Sequence, residues 1–78
     1  MMKQQIREFV SNTTFTDLRK IDDSTLLFEE GIFDSIGLLN LIAFLERDFN
    51  IKVEDSELDA ENFGSINAIA SFLERKLN

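Results

Sequence analysis

The sequence contains no cysteine and no histidine. Without thiols there can be no disulfide staple and no thiolate nucleophile, and without imidazole the commonest zinc ligand and the usual general base of neutral pH are both missing. An autonomous hydrolase or metalloenzyme is therefore not expected, and no G-x-S-x-G elbow is present to argue otherwise. Proline is also absent, which carries no functional meaning. No apolar run approaches the roughly 18 to 20 residues that span a bilayer, and residues 1–10 lack the apolar stretch of a secretory signal. A cytoplasmic protein is expected, with no membrane insertion. Basic residues are scarce, eight against fifteen acids, so the net charge of −7 has the wrong sign for nucleic acid.

What is present fits one small globular domain over residues 1–78. Hydrophobic residues make up 44% of the chain and charged residues 29%, too apolar for a disordered segment. The charge is unevenly placed. Residues 21–61 hold twelve acids against Arg47 and Lys52, a local balance of −10, whereas both ends are mildly basic. Such a segment is either a solvated acidic face or a docking surface for basic partners.

Apolar spacing predicts the helices. Met2, Ile6, Phe9 and Val10 fall on one face of a helix over about 2–12. Residues 13–33 then read as a long connection, with enough apolar residues, Phe15, Leu18, Ile21, Leu27 and Phe33 among them, to lie ordered against the helices. A second helix starts at Asp34, carries the stripe Leu38, Leu41, Ile42, Leu45 and Phe49, and ends at Asn50. Ile51-Lys52-Val53 is expected to be an extended connector, followed by a short helical turn around 56–60. A final helix follows the N-cap candidate Ser65 with Ile66, Ile69, Ala70, Leu73 and Leu77 on one face. The expected architecture is all-α, a small four-helix bundle of three principal helices and one short helix, with a long ordered loop between the first two principal helices.

The second helix is apolar over more than one face. At about 100° per residue, Ile36, Leu39, Ala43 and Phe44 lie away from the core stripe. Wrapping by the first helix and the loop is expected to cover Leu39 and part of Phe44; Ile36 and Ala43 are the better candidates for partner contact.

At the start of that helix stand Phe33-Asp34-Ser35-Ile36-Gly37-Leu38. Asp34 as N-cap would accept from the amide of Ile36 or Gly37, with Phe33 and Leu38 as a hydrophobic staple. Ser35 then occupies the first helical position, its hydroxyl outward, unused by capping and beside the positive end of the helix dipole. By itself an Asp-Ser dipeptide signifies little.

Its context is more specific. The run Leu27-Phe28-Glu29-Glu30-Gly31-Ile32-Phe33-Asp34-Ser35-Ile36, the later Leu45-Glu46-Arg47-Asp48-Phe49-Asn50-Ile51-Lys52-Val53 and the approach Glu61-Asn62-Phe63-Gly64-Ser65-Ile66 stand in the order and spacing of acyl and peptidyl carrier proteins, a family the whole chain resembles. The resemblance implies that a phosphopantetheinyl transferase attaches 4′-phosphopantetheine from coenzyme A to Ser35, with Asp34 helping to present it. It further implies a non-catalytic carrier, loaded by an acyl- or aminoacyl-adenylating enzyme and unloaded by synthase, condensing or transferring enzymes, that meets them through Ile36, Leu39, Ala43, Glu46 and Glu30. A prosthetic thiol accounts for chemistry the chain's own side chains lack. Gly37 and Asn40 stand where fatty-acid carriers usually place acids, so the pattern is more similar to D-alanyl carriers and to free-standing peptidyl or polyketide carriers. The start at Met1 and the end at Asn78 suggest a discrete protein rather than an excised module, and a monomer is expected.

Two other readings compete. One is an acidic helical interaction module that carries no prosthetic group. The other is a divalent-ion sensor built on Glu54, Asp55, Glu57, Asp59 and Glu61, acids that lack the order and central glycine of an EF-hand.

Overall fold

The computed structural model describes residues 2–77. Four α-helices follow in order: α1 (Met2–Thr14), α2 (Ser35–Phe49), α3 (Ala60–Phe63) and α4 (Ile66–Leu77), with 3-10 turns at Leu18–Lys20 and Asp55–Glu57. There is no strand among the described residues. α4 packs on α1 and α3, and α1 packs on α2. Ile6 and Val10 of α1, Leu41 and Leu45 of α2, and Ile66, Ile69 and Leu73 of α4 meet in one core with no exposed surface.

α1 runs two residues beyond the expected end. Thr13 and Thr14 are β-branched and poor helix formers, but the Thr14 hydroxyl donates to the Val10 carbonyl (2.7 Å), which holds the last turn closed. The chain then turns at Phe15, whose φ of 57° is left-handed, and the Thr16 amide donates back to Ser11 O (3.1 Å). That position usually takes glycine. At the end of α2 the same conformation falls on Asn50 (φ 54°), as the sequence predicts.

The long loop is ordered, as expected, and contains a short 3-10 turn at Leu18–Lys20. Ile21, Leu27 and Phe33 are buried in the main core. Leu27 N donates to Gly64 O (2.8 Å), Asn67 N donates to Asp23 O (2.9 Å), and the Arg7 guanidinium pairs with the Asp23 carboxylate. These bonds tie the loop to α1 and to the segment entering α4, so twenty residues without a long helix are still held.

After α2, Ile51 and Val53 are half-buried and Lys52 exposed, the alternation expected of an extended connector. The expected short turn at 56–60 is divided in two. Asp59 takes an extended backbone and its carboxylate accepts from Asn62 N (2.9 Å), so it ends the 3-10 turn and caps a separate helix at Ala60. Gly64 is the C-cap of α3, and glycine is required there because a Cβ would lie 2.4 Å from the Ala60 carbonyl oxygen. Ser65 then caps α4 by accepting from Ala68 N (3.1 Å).

The α2 stripe is less deeply buried than its spacing suggests. Only Leu41 and Leu45 are fully covered; Leu38, Ile42 and Phe49 are half-buried. Phe44 is accounted for, its ring stacked on Phe9 of α1 with centroids 4.4 Å apart and planes 13° from parallel. Leu39 is not: it remains 61% exposed, contrary to the expected wrapping, because the loop docks toward α4 and leaves that face of α2 open.

Candidate functional site

The site is built by the last turn of the loop and the first turn of α2. Leu26 through Gly31 form a tight turn in which Glu30 N donates to Leu26 O (2.9 Å) and Gly31 N to Phe28 O (3.1 Å). Gly31 has φ 75°, which an L side chain rarely adopts. The turn returns the chain so that Ile32 N and Phe33 N both donate to Leu27 O (2.9 and 3.0 Å). Phe33 is thereby buried, while Asp34 and Ser35 emerge at the surface.

Asp34 is the N-cap. Its carboxylate accepts from Gly37 N at 2.8 Å, and its carbonyl accepts from Leu38 N at 3.0 Å. Gly37 fits here because a Cβ would stand 3.0 Å from the Phe33 ring and 3.4 Å from the Asp34 carboxylate. The Phe33 ring thus seats against Gly37 as well as the core. Ser35 is exposed at the first helical position. Its hydroxyl is free of any capping duty and sits at the end of a fifteen-residue helix where unpaired amides favour a negative group. A phosphodiester oxygen on this side chain fits both the space and the field.

Around Ser35 the expected partner residues are mostly available. Ile36 is 68% exposed and Leu39 61%, and Ala43 is exposed one turn further along the same flank of α2. Glu30 is exposed in the turn before the helix. Glu46 differs. It is half-buried, and its carboxylate accepts from Val53 N (2.9 Å), so it pins the connector after α2. Several of the bases are occupied: Arg19 pairs with Asp17 (2.8 Å), Arg47 with Asp48 (2.9 Å) and Lys76 with Glu57 (2.9 Å). The Arg19 guanidinium holds the Asp17 carboxyl below its usual range. The amide of Glu54, with Lys76, does the same for Glu57.

Sequence reasoning did not find what lies on the α1 side of the serine. Thr13 and Thr14 from the end of α1 and Asp34, Ile36, Gly37 and Asn40 from the start of α2 together line a groove of about 280 Å³. No spacing rule links residues so far apart in the chain. Next to the groove in sequence, Phe15 is 94% exposed. No cluster of three or more metal-ligating side chains exists among the described residues, so the acids 54–61 do not converge on an ion. None of the described helices is long and apolar enough to cross a membrane.

A four-helix domain that presents an exposed, uncommitted serine at the start of its second helix has the arrangement of a carrier. The comparisons with known proteins agree. Residues 4–73 match the family model described as a phosphopantetheine attachment site. The D-alanyl carrier protein of Lactococcus lactis subsp. lactis (strain IL1403) is 39% identical over 75 residues, 96% of this chain and 95% of that protein. The D-alanyl carrier protein of Bacillus subtilis (strain 168) is 30% identical over 71 residues, 91% of each. A holo acyl carrier protein of Nitrosomonas europaea superposes with a TM-score of 0.79 at 25% identity, over 99% of this chain and 96% of the other. The chain belongs to the phosphopantetheine-binding carrier protein family. Its prosthetic group is covalently bound 4′-phosphopantetheine.

Proposed function

We propose that this protein is a free-standing, monomeric, cytoplasmic aminoacyl or acyl carrier whose prosthetic arm is attached to Ser35. The supporting observation is the division of labour at the helix start: Asp34 satisfies the helix amide of Gly37, and the neighbouring Ser35 hydroxyl stays exposed and unengaged. In the attachment, the Ser35 oxygen forms a new bond to the β-phosphorus of coenzyme A as the bond to the leaving 3′,5′-ADP breaks. The hydroxyl proton passes to a base supplied by the phosphopantetheinyl transferase. When bound, the arm supplies a terminal thiol that holds cargo as a thioester.

D-Alanine is the cargo best supported, because the curated relatives described above are named D-alanyl carriers. An adenylating enzyme would load it and a transferring enzyme would unload it. Ile36, Leu39 and Ala43 offer these partners an apolar contact beside the arm, and Glu30 adds a negative rim. Contact of this kind, rimmed by charge, gives fast and salt-sensitive encounters.

The test is intact mass after incubation with coenzyme A and a promiscuous phosphopantetheinyl transferase. One arm should be added to the wild type and none to Ser35→Ala. An arm that still appears on the variant rules out Ser35 as the attachment point. With the arm in place, a D-alanine adenylating enzyme should then add one alanyl group; failure with D-alanine but success with another carboxylic acid would reassign the cargo.

A further inference from the structure

We infer that the groove between the end of α1 and the start of α2 is a resting site for the phosphopantetheine arm, in which the Thr13 hydroxyl and the Asn40 carboxamide are the polar anchors. This rests on Ser35 as the attachment point. Both chain neighbours of Ser35, Asp34 and Ile36, line the groove, so its mouth lies within reach of an arm attached to the serine.

The chemistry of the lining matches the arm. Pantetheine alternates two amides and a hydroxyl with short apolar stretches, so a site that holds it needs donors and acceptors along an apolar wall. A carboxamide offers two donors and an acceptor, and a hydroxyl offers both roles. Asn40 and Thr13 are free to do so, since neither side chain hydrogen-bonds another group among the described residues, whereas the Thr14 hydroxyl is spent on Val10 O (2.7 Å). Ile36 provides the apolar wall. Asn40 is exposed in the middle of an otherwise apolar stretch of α2, where the fold itself makes no use of a carboxamide.

The opposite flank is a poorer match. The cleft there is about 80 Å³, is lined by Leu26, Phe28, Glu29, Ala60 and Gly64, and contains no neighbour of Ser35. Ile36 belongs both to the groove wall and to the exposed flank of α2. A partner that covers Ile36 therefore competes with the resting arm and releases it toward its own active site.

Isotope-edited NMR of the full chain, with an unlabelled apo sample and a sample carrying a ¹³C-labelled arm, tests this directly. Intact mass first establishes loading. The expected result is cross-relaxation from the arm's methyl groups to Ile36 and Thr13, a shift of the Asn40 side-chain amide, and loss of those cross-peaks in a Thr13→Val, Asn40→Ala double variant whose thermal melt matches the wild type. A loaded arm with no contacts beyond residues 34–36, or with contacts to Leu39, Leu58 or Ala60 instead, overturns the inference and leaves the attachment intact. If the mass shows no loading, the attachment to Ser35 fails and the inference fails with it. Should the double variant unfold, the contacts or their absence in the wild type decide alone.

Discussion

The Asp34 carboxylate accepts from the Gly37 amide at 2.8 Å, and the residue between them that matters most, Ser35, is left out of the bond. Serine is itself a good helix cap, and a serine used that way would lose its freedom to react. On the attachment proposed for Ser35, placing the cap one residue earlier separates the structural duty from the chemical one. The first consequence concerns stability. Asp34→Ala should cost about 1 kcal/mol and lower the melting temperature by roughly 4–8 °C, while Asp34→Asn, which keeps an acceptor, should stay within a few tenths of a kcal/mol. Urea and thermal melts of the two variants check it.

Phe15 holds a left-handed backbone with its ring 94% exposed, so the strain is not repaid by packing. Phe15→Gly should therefore stabilise the fold by about 1 kcal/mol. Equal or lower stability in denaturant melts would show that the ring finds contacts in solution which offset the strain.

Gly64 should tolerate nothing larger. A Cβ at 2.4 Å from the Ala60 carbonyl oxygen forces the end of α3 to move, and Leu27 N, which donates to Gly64 O, moves with it. Gly64→Ala is expected to cost about 2 kcal/mol, at the upper side of ordinary substitutions. Denaturant midpoints measure it.

Ile36→Ala separates binding from folding. With Ile36 68% exposed, stability should change by less than about 0.5 kcal/mol. At a partner contact the same truncation should cost about 1 kcal/mol or more, roughly a fivefold rise in the KM of the loading enzyme for the carrier. An unchanged KM would remove Ile36 from the docking surface.

The pH dependence follows from Glu57. Its carboxyl lies below the ordinary glutamate value of 4.5 because the Glu54 amide donates to it and Lys76 pairs with it. A depressed folded-state pKa contributes stability that is present above the unfolded value and is lost as pH falls through the folded one. Wild type should thus melt above Glu57→Gln at pH 7, and the gap should close as the pH drops below 4.5. A gap constant across that range would show that the ion pair contributes nothing.

Much of this was legible in the chain. Apolar spacing gave α1, α2 and α4, and Asp34 and Asn50 were read as the two ends of α2 because caps are local chemistry that a few adjacent residues settle. The boundaries that shifted did so through single side-chain bonds. Thr14 back-bonding to Val10 lengthened α1, and Asp59 divided the turn before α4. Glu46, expected at the partner surface, instead accepts from Val53 N, a bond that only the return of the connector against α2 creates.

The sequence by itself determined that the protein is a small acidic helical domain without cysteine or histidine, because composition, period and capping act over a few residues. It also singled out Ser35 and the carrier family. Only the tertiary structure decided which apolar residues of α2 stay open. Phe44 is covered by stacking on Phe9, while Leu39 is bare because the loop docks toward α4. The groove beside Ser35 was likewise a tertiary product: Thr13 and Asn40 are brought together by the packing of α1 on α2, and no local pattern encodes that meeting.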